Sequence, residues 1–440
     1  MKVPKFIKEN LLLKMTSLNA GVIGIRLVIS LFIQRLLAEL VGEAGIAKIG
    51  QLRNLLQLLT SFSSVGIFSG IVKYVAEYKE DKEQLQKLFS TSFVFTVLGS
   101  TVTCAALLIW AYPISNVLFG SSDFVYLIRL LAIVVPFISI QRIFNGVVNG
   151  LSKYKKFAKI DLLGYLLSAV LTVIFLLQYN IDGALVAIAI TPVIQLSVLL
   201  FIFIKVLKEY ISFSNISFKA PMAKGLLAFS LMSFFSTVLL NYVEIDIRTM
   251  ITNRITEDDA GVWTAMTFIS RNYMVFSTAI FSLYVLPKFA SIHTKSGFTK
   301  ELGKIYKTLL PIFGVGMILV YFLRDYVIML IYPDFTGMSP LFKWQLLGDF
   351  IRLASLVLAS QFLAKRLVRS FIFTELLSLG LFFGFSYYFV GLYGVEGVPM
   401  AHLLRYIIYF IVVYFVVMRY FRKKKNDAAS ALENKAKDAN

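Results

Sequence analysis

Six arginines lie inside stretches of sequence that are otherwise apolar: Arg26, Arg53, Arg142, Arg271, Arg352 and Arg405. A charge at membrane depth is costly and almost always faces a water-filled cavity or a partner. Guanidinium is planar, always charged and bidentate toward phosphate, so a cluster of such groups would suit an anionic ligand. Asp349 and Arg352 are three residues apart, and Glu244 and Arg248 four, so each pair shares a helix face and can neutralise itself. Arg26, Arg53 and Arg271 have no carboxylate three or four positions away. Either they pair across helices, with groups such as Asp246 or Glu375, or they line a cationic cavity. Three such arginines on three different segments favour the cavity. Arg35 is nine residues from Arg26, about 900° of helical rotation, and so belongs to the opposite face.

The elements that must position these groups are membrane spans. Of 440 residues, 58% are hydrophobic, 15% aromatic and only 16% charged, with a mean hydropathy of +0.77. Soluble domains are about 45–50% apolar with roughly 25% charge, and 40 Phe with 22 Tyr exceed what soluble cores can hide. The net charge of +19 is then expected to mark cytoplasmic loops rather than nucleic-acid binding. Cys104 stands alone in an apolar run, which excludes a disulfide framework, and with only His293 and His402 a Cys- or His-based metal site is excluded too. His402 lies three residues before Arg405 on one helix face, where a proton-relay role competes with simple packing. No P-loop pattern is present, so neither ATP hydrolysis nor any cofactor is expected. Residues 1–10 are polar and basic, and no cleavable signal peptide is expected.

Apolar runs of spanning length lie near 11–38, 46–72, 86–110, 125–149, 158–179, 183–207, 222–248, 260–286, 303–323, 338–364, 370–391 and 397–420. Basic residues crowd the N-terminus, alternate loops (Lys153, Lys155 and Lys156; Lys295 and Lys300; Arg366 and Arg369) and the C-terminus. The segment 111–124 has none, while 179–183 and 391–396 offer only Asp182 and Glu396. The positive-inside rule therefore predicts both termini in the cytoplasm, as an even number of spans requires. The tail 426–440, rich in Ala, Lys, Asp and Asn, is expected to be disordered.

The two halves, 1–210 and 211–425, resemble each other at an offset of about 213. Gly66-Ile67-Phe68-Ser69 recurs as Ala279-Ile280-Phe281-Ser282, Leu118-Phe119-Gly120 as Ile331-Tyr332-Pro333, and Ile181-Asp182-Gly183-Ala184 as Val395-Glu396-Gly397-Val398. The expected fold is therefore an all-α polytopic bundle of about twelve spans in two parallel six-helix lobes, an architecture that places substrate between lobes that rock.

The segments 66–78, 118–132, 183–185 with Pro192, 281–287, 323–326 and 335–349 resemble the Wzx-type flippases of lipid-linked oligosaccharides. These flippases, O-antigen and common-antigen translocases among them, form part of the multidrug/oligosaccharidyl-lipid/polysaccharide exporter superfamily. The resemblance implies a MATE-like transporter that moves an undecaprenyl-diphosphate-linked repeat unit from the cytoplasmic to the periplasmic leaflet of the bacterial inner membrane. Arg26, Arg53, Arg248 and Arg352 fall where the similar flippase also has basic residues, whereas at Arg271 it looks acidic; these five and the midspan Arg142 are the candidates for substrate binding. Asp246, Asp349 and Glu375 are the candidates for ion coupling. A polysaccharide polymerase and a chain-length regulator are the implied protein partners, with the transporter itself a monomer.

Three other readings compete. A cation-coupled multidrug antiporter should carry a carboxylate in its cavity, yet the first span holds no Asp or Glu between Lys14 and Arg35. A membrane polymerase or glycosyltransferase should show a long extramembrane loop with paired carboxylates. The cluster Glu257-Asp258-Asp259 is short and reads as a helix start. A passive structural subunit would not need midspan arginines.

Overall fold

The computed structural model is helical, with no strand among its described residues. It describes the backbone of residues 11–151, 153–292, 294–365 and 367–437, and side chains between 21 and 422 except at 152, 154, 213, 232, 234, 278, 279, 282, 283, 287, 293 and 366. His293, Arg366, the first ten residues and the side chains of the expected tail thus lie outside the described residues. Residues up to Thr249 gather into one compact unit, and residues from Met250 into a second. Eight helical stretches among the described residues are long and apolar enough to cross a bilayer.

The first unit begins with α1 (Leu11–Ser63), which breaks at Gly42, where φ is +64°. Only glycine takes that conformation without steric cost. The run expected to continue to residue 72 stops at Ser63, because Val65 and Gly66 both adopt positive φ, 51° and 64°. The chain then re-enters a helix as α2 (Phe68–Tyr78). Next come α3 (Lys82–Ile109), capped by Asp81 through the Glu83 and Gln84 amides, and the short α4 (Ala111–Phe119). Following them are α5 (Val125–Gly150) and α6 (Tyr154–Tyr210), which breaks at Tyr179–Asn180. A π-helical turn, Phe234–Val238, joins α7 (Ala223–Ser233) to α8 (Leu239–Arg254).

Gly146 and Gly150, four apart on α5, let α2 approach closely. A methyl at Gly150 would meet Val75 and the Val72 carbonyl within 3 Å. Small residues at this spacing are the usual device for close helix packing in a membrane. Ile67, Ile71, Val75, Leu88, Ile143, Val147 and Phe203 fill the apolar core formed there. With that face of α5 buried, its opposite face is left for other work.

The second unit contains α9 (Glu257–Ile280), a π turn at Phe281–Val285 leading into α10 (Leu286–Ser291), α11 (Lys295–Phe322) and α12 (Arg324–Ile331). It closes with α13 (Ser339–Ala364), α14 (Val368–Tyr393) and α15 (Gly397–Lys437). Glu257-Asp258-Asp259 open α9, with the Asp259 amide bonded to Thr256 Oγ1 at 3.0 Å, an N-terminal cap.

One corner is built twice. In the first unit Tyr179 is followed by Asn180 at φ 51°, and Gly183 lies so close to the Phe175 carbonyl that no side chain fits. In the second, Tyr393 is followed by Gly394 at φ 59°, and Gly397 lies equally close to the Phe389 carbonyl. Phe, Tyr and Gly have the same spacing at both corners, which are the sites of the third sequence match above.

Candidate functional site

Arg26, Arg53 and Arg142 of the first unit converge on a cavity of about 620 Å³. Its walls follow helical arithmetic. From α1 come Arg26, Ser30, Ile33 and Gln34 before the Gly42 break, and Arg53, Leu56, Gln57 and Thr60 after it. From α5 come Ile138, Gln141, Arg142, Asn145 and Asn149, the face opposite Gly146 and Gly150. The two arms of α6 add Asp161, Tyr165, Ser168 and Thr172, then Thr191, Pro192 and Gln195. Spacings of three and four residues put each set on one face of its helix. Every lining residue belongs to the first unit.

Three guanidinium groups therefore face one carboxylate. Arg26 Nη1 donates to Asp161 Oδ2 at 2.6 Å, and the Arg26 guanidinium lies 4.8 Å from the centre of the Tyr165 ring. Both partners stay about a third exposed (side chains 40% and 34%), so the pair is wet and open to competition. Arg142 lies 3.7 Å from the centre of the Phe68 ring, the first residue of α2. The turn at Val65–Gly66 places that ring there.

Asp161 escaped the sequence reading. It is the acidic residue of the run 158–179 and stands near the start of that run, two residues after the basic Lys159. One helical turn further on, Tyr165 shares its face. Its presence also removes part of the argument against an antiporter, since the cavity does hold a carboxylate.

The remaining candidates lie elsewhere. Arg248 is 1% exposed and donates to Gln51 Oε1 at 3.0 Å, while Asn54 donates to Glu244 at 2.9 Å. These bonds knit α8 to the second arm of α1, and neither Arg248 nor Asp246 lines the cavity. In the second unit Asp349 is fully buried and accepts hydrogen bonds from Ser270 at 2.5 Å and Gln345 at 3.1 Å, and from Tyr273. His402 lies 3.0 Å from its Oδ1, and Arg352 lies 3.7 Å from the same oxygen. Gly348 makes that cluster possible, since a side chain there would strike the His402 ring and the Leu403 backbone. Glu375 accepts from Tyr409 at 3.1 Å, and Arg405 stacks on Phe382 and Tyr406 at 4.2 and 4.4 Å. Arg271 is an exposed residue of α9.

The two units thus differ in chemistry. The cavity of the first is open, polar and rich in guanidinium, and could hold an anion through charge-assisted, forked hydrogen bonds. In the second, the Asp349 carboxylate is closed off from water and held by Ser270, Tyr273, Gln345 and His402, as a buried carboxylate must be.

Known proteins agree with this architecture. The family model for polysaccharide biosynthesis proteins matches residues 12–293. The lipid III flippases of Escherichia coli K12 and Shigella flexneri are each 30% identical to the chain over 381 residues, which is 86% of this chain and 92% of theirs. An inward-facing MATE-family multidrug resistance transporter of the MOP superfamily superposes with a TM-score of 0.77 at 14% identity, over 91% of this chain and 96% of its own. The lipid II flippase MurJ in an inward closed conformation superposes with a TM-score of 0.70 at 17% identity, over 91% and 87%. At such identities these two structures speak for the fold alone. The chain belongs to the polysaccharide biosynthesis protein family and is a multi-pass membrane transporter rather than an enzyme.

Proposed function

We propose that this protein is a flippase that carries an undecaprenyl-diphosphate-linked oligosaccharide repeat unit from the cytoplasmic to the periplasmic leaflet of a bacterial inner membrane by alternating access. The observation that carries the reading is the excess of guanidinium in one open cavity: Arg26, Arg53 and Arg142 against Asp161. A diphosphate with sugars attached cannot cross hydrocarbon unaided, whereas its prenyl tail never has to leave it. A water-accessible cationic cavity lowers the cost of the head group alone, and that is the part that needs help. The 30% identity to proteins named lipid III flippases supports the substrate class, and the paired corners at Tyr179 and Tyr393 support a duplicated six-span lobe.

In this reading Asp349, with His402 and Arg352 beside it, is the first candidate for ion coupling, followed by Glu375 and Asp246. Arg248 has a structural role. Both termini, Lys153 and Lys300 lie in the cytoplasm, and Asp182 and Asp258 in the periplasm. The protein acts as a monomer that delivers its cargo to a polymerase and chain-length regulator. The test is display of surface glycan by cells whose only such flippase is this one. Wild type restores display, and Arg26→Ala at equal abundance does not.

One observation favours a second reading, a cation-coupled drug antiporter: the carboxylate of Asp161 faces the cavity. That reading requires Asp161→Asn to sensitise cells to cationic dyes. The flippase reading expects unchanged dye resistance.

A further inference from the structure

The arginines account for only part of the cavity wall. The same wall carries neutral amides that the diphosphate reading does not use. Gln141, Asn145 and Asn149 recur every four residues along one face of α5 and so form a ladder about 12 Å long. Gln195 of α6 stands across from its head and accepts a hydrogen bond from Gln141 Nε2 at 3.1 Å. Gln57 of α1 faces the same space and is exposed.

These groups are largely unspent. Among the described residues the side-chain amides of Asn145 and Gln57 make no hydrogen bond to protein. The Gln141–Gln195 bond uses one group of each residue and leaves Gln141 Oε1 and Gln195 Nε2 available. Asn149 spends one N–H on the Asn145 carbonyl at 2.8 Å and keeps its oxygen. An amide offers a donor and an acceptor side by side at no charge cost. That matches hydroxyl groups, which are also both, whereas a diphosphate needs donors only and is served by guanidinium.

We propose that the cavity is divided by chemistry. The guanidinium groups of Arg26, Arg53 and Arg142 take the diphosphate, and the amides of Gln141, Asn145, Gln195 and Gln57 form a glycan subsite for the hydroxyl-bearing sugars nearest to it. This inference rests on the flippase reading and adds to it the part of the cargo that the amides bind. It also gives the protein a means to distinguish a loaded carrier lipid from a bare one.

The experiment is a competition on the full-length protein in detergent, read by native mass spectrometry, with equimolar undecaprenyl diphosphate and undecaprenyl-diphosphate-N-acetylglucosamine. Wild type should favour the sugar-bearing lipid roughly tenfold, the worth of one or two net hydrogen bonds. Asn145→Leu and Gln57→Leu, on two different helices and neither breaking a protein hydrogen bond, should each cut the ratio to roughly threefold, and the double variant should bring it close to one, while undecaprenyl diphosphate binds as before. Arg26→Ala should weaken both lipids together. A ratio unchanged in both amide variants overturns the subsite and leaves the diphosphate site standing. Equal loss of both lipids in the amide variants, at wild-type thermal stability, also overturns it, because the amides would then serve the phosphates. If wild type binds neither lipid, the flippase reading fails and the subsite fails with it.

Discussion

Arg26 and Asp161 face each other across the cavity of the first unit at 2.6 Å, 135 residues apart in sequence and each still partly open to water. The arginine that is best placed to meet an anion is thus already held by one. In the proposed function a phosphate oxygen of the head group takes the place of that carboxylate beside Arg26.

Asp161→Asn should therefore tighten binding of undecaprenyl diphosphate. A unit charge about 4 Å from the ligand in a water-like dielectric is worth ~1 kcal/mol, or about fivefold. The pair is exposed enough that thermal stability should move by less than ~1 kcal/mol. Lipid titration and thermal unfolding of the same preparation separate the two effects. Weaker binding by the variant would refute the competition.

Arg35→Ala should be nearly silent in transport. Arg35 pairs with Glu39 one turn away at 2.7 Å and does not line the cavity, as its half-turn offset from Arg26 requires. Surface glycan at the wild-type level, normalised to protein abundance, is the expected result.

Gly348→Ala should destabilise the second unit by about 1–3 kcal/mol, because its methyl would press on the His402 ring and approach the Leu403 backbone to 3.2 Å. Gly384→Ala is the control, since a methyl there meets nothing within 4 Å. The Tm in detergent should fall for the first variant and hold for the second.

Gly183→Ala and Gly397→Ala should lower abundance to a similar extent, since each glycine lies against the carbonyl of a phenylalanine eight residues earlier. Immunoblots of membrane fractions would show it. A silent variant at one corner and a severe one at the other would speak against a shared design.

How far the site could be read in advance depended on the kind of signal each residue carries. Arg26, Arg53 and Arg142 were legible because a charge within an apolar run has few explanations. The structure gathers these three on one cavity, whereas Arg248, which its spacing from Glu244 marked as a local pair, bridges to Gln51. Sequence shows that a charge is buried without showing whether a cavity or a hydrogen-bond partner receives it. Asp161 was inconspicuous because it stands near the start of its span, beside Lys159, where a charge can reach the membrane surface. The amides of α5 were hidden because neutral polar residues barely change hydropathy, and their four-residue spacing matters only once the opposite face is known to pack through Gly146 and Gly150. In the fold, the break at Asn180 was marked by its Asn-Ile-Asp-Gly turn. The left-handed turn at Val65–Gly66, inside an apolar run, carried no such mark, so the second span was read as longer than it is.

The central claim is that Arg26 and Arg53 grip a diphosphate, and the most direct measurement is flipping itself. The protein is reconstituted in proteoliposomes with a fluorescent undecaprenyl-diphosphate glycolipid, and the lipid reaching the opposite leaflet is counted per transporter. Alanine at either position should abolish transport, and lysine, which keeps the charge but loses the fork, should leave a reduced rate clearly above that of alanine. Wild-type transport by both alanine variants would contradict the account.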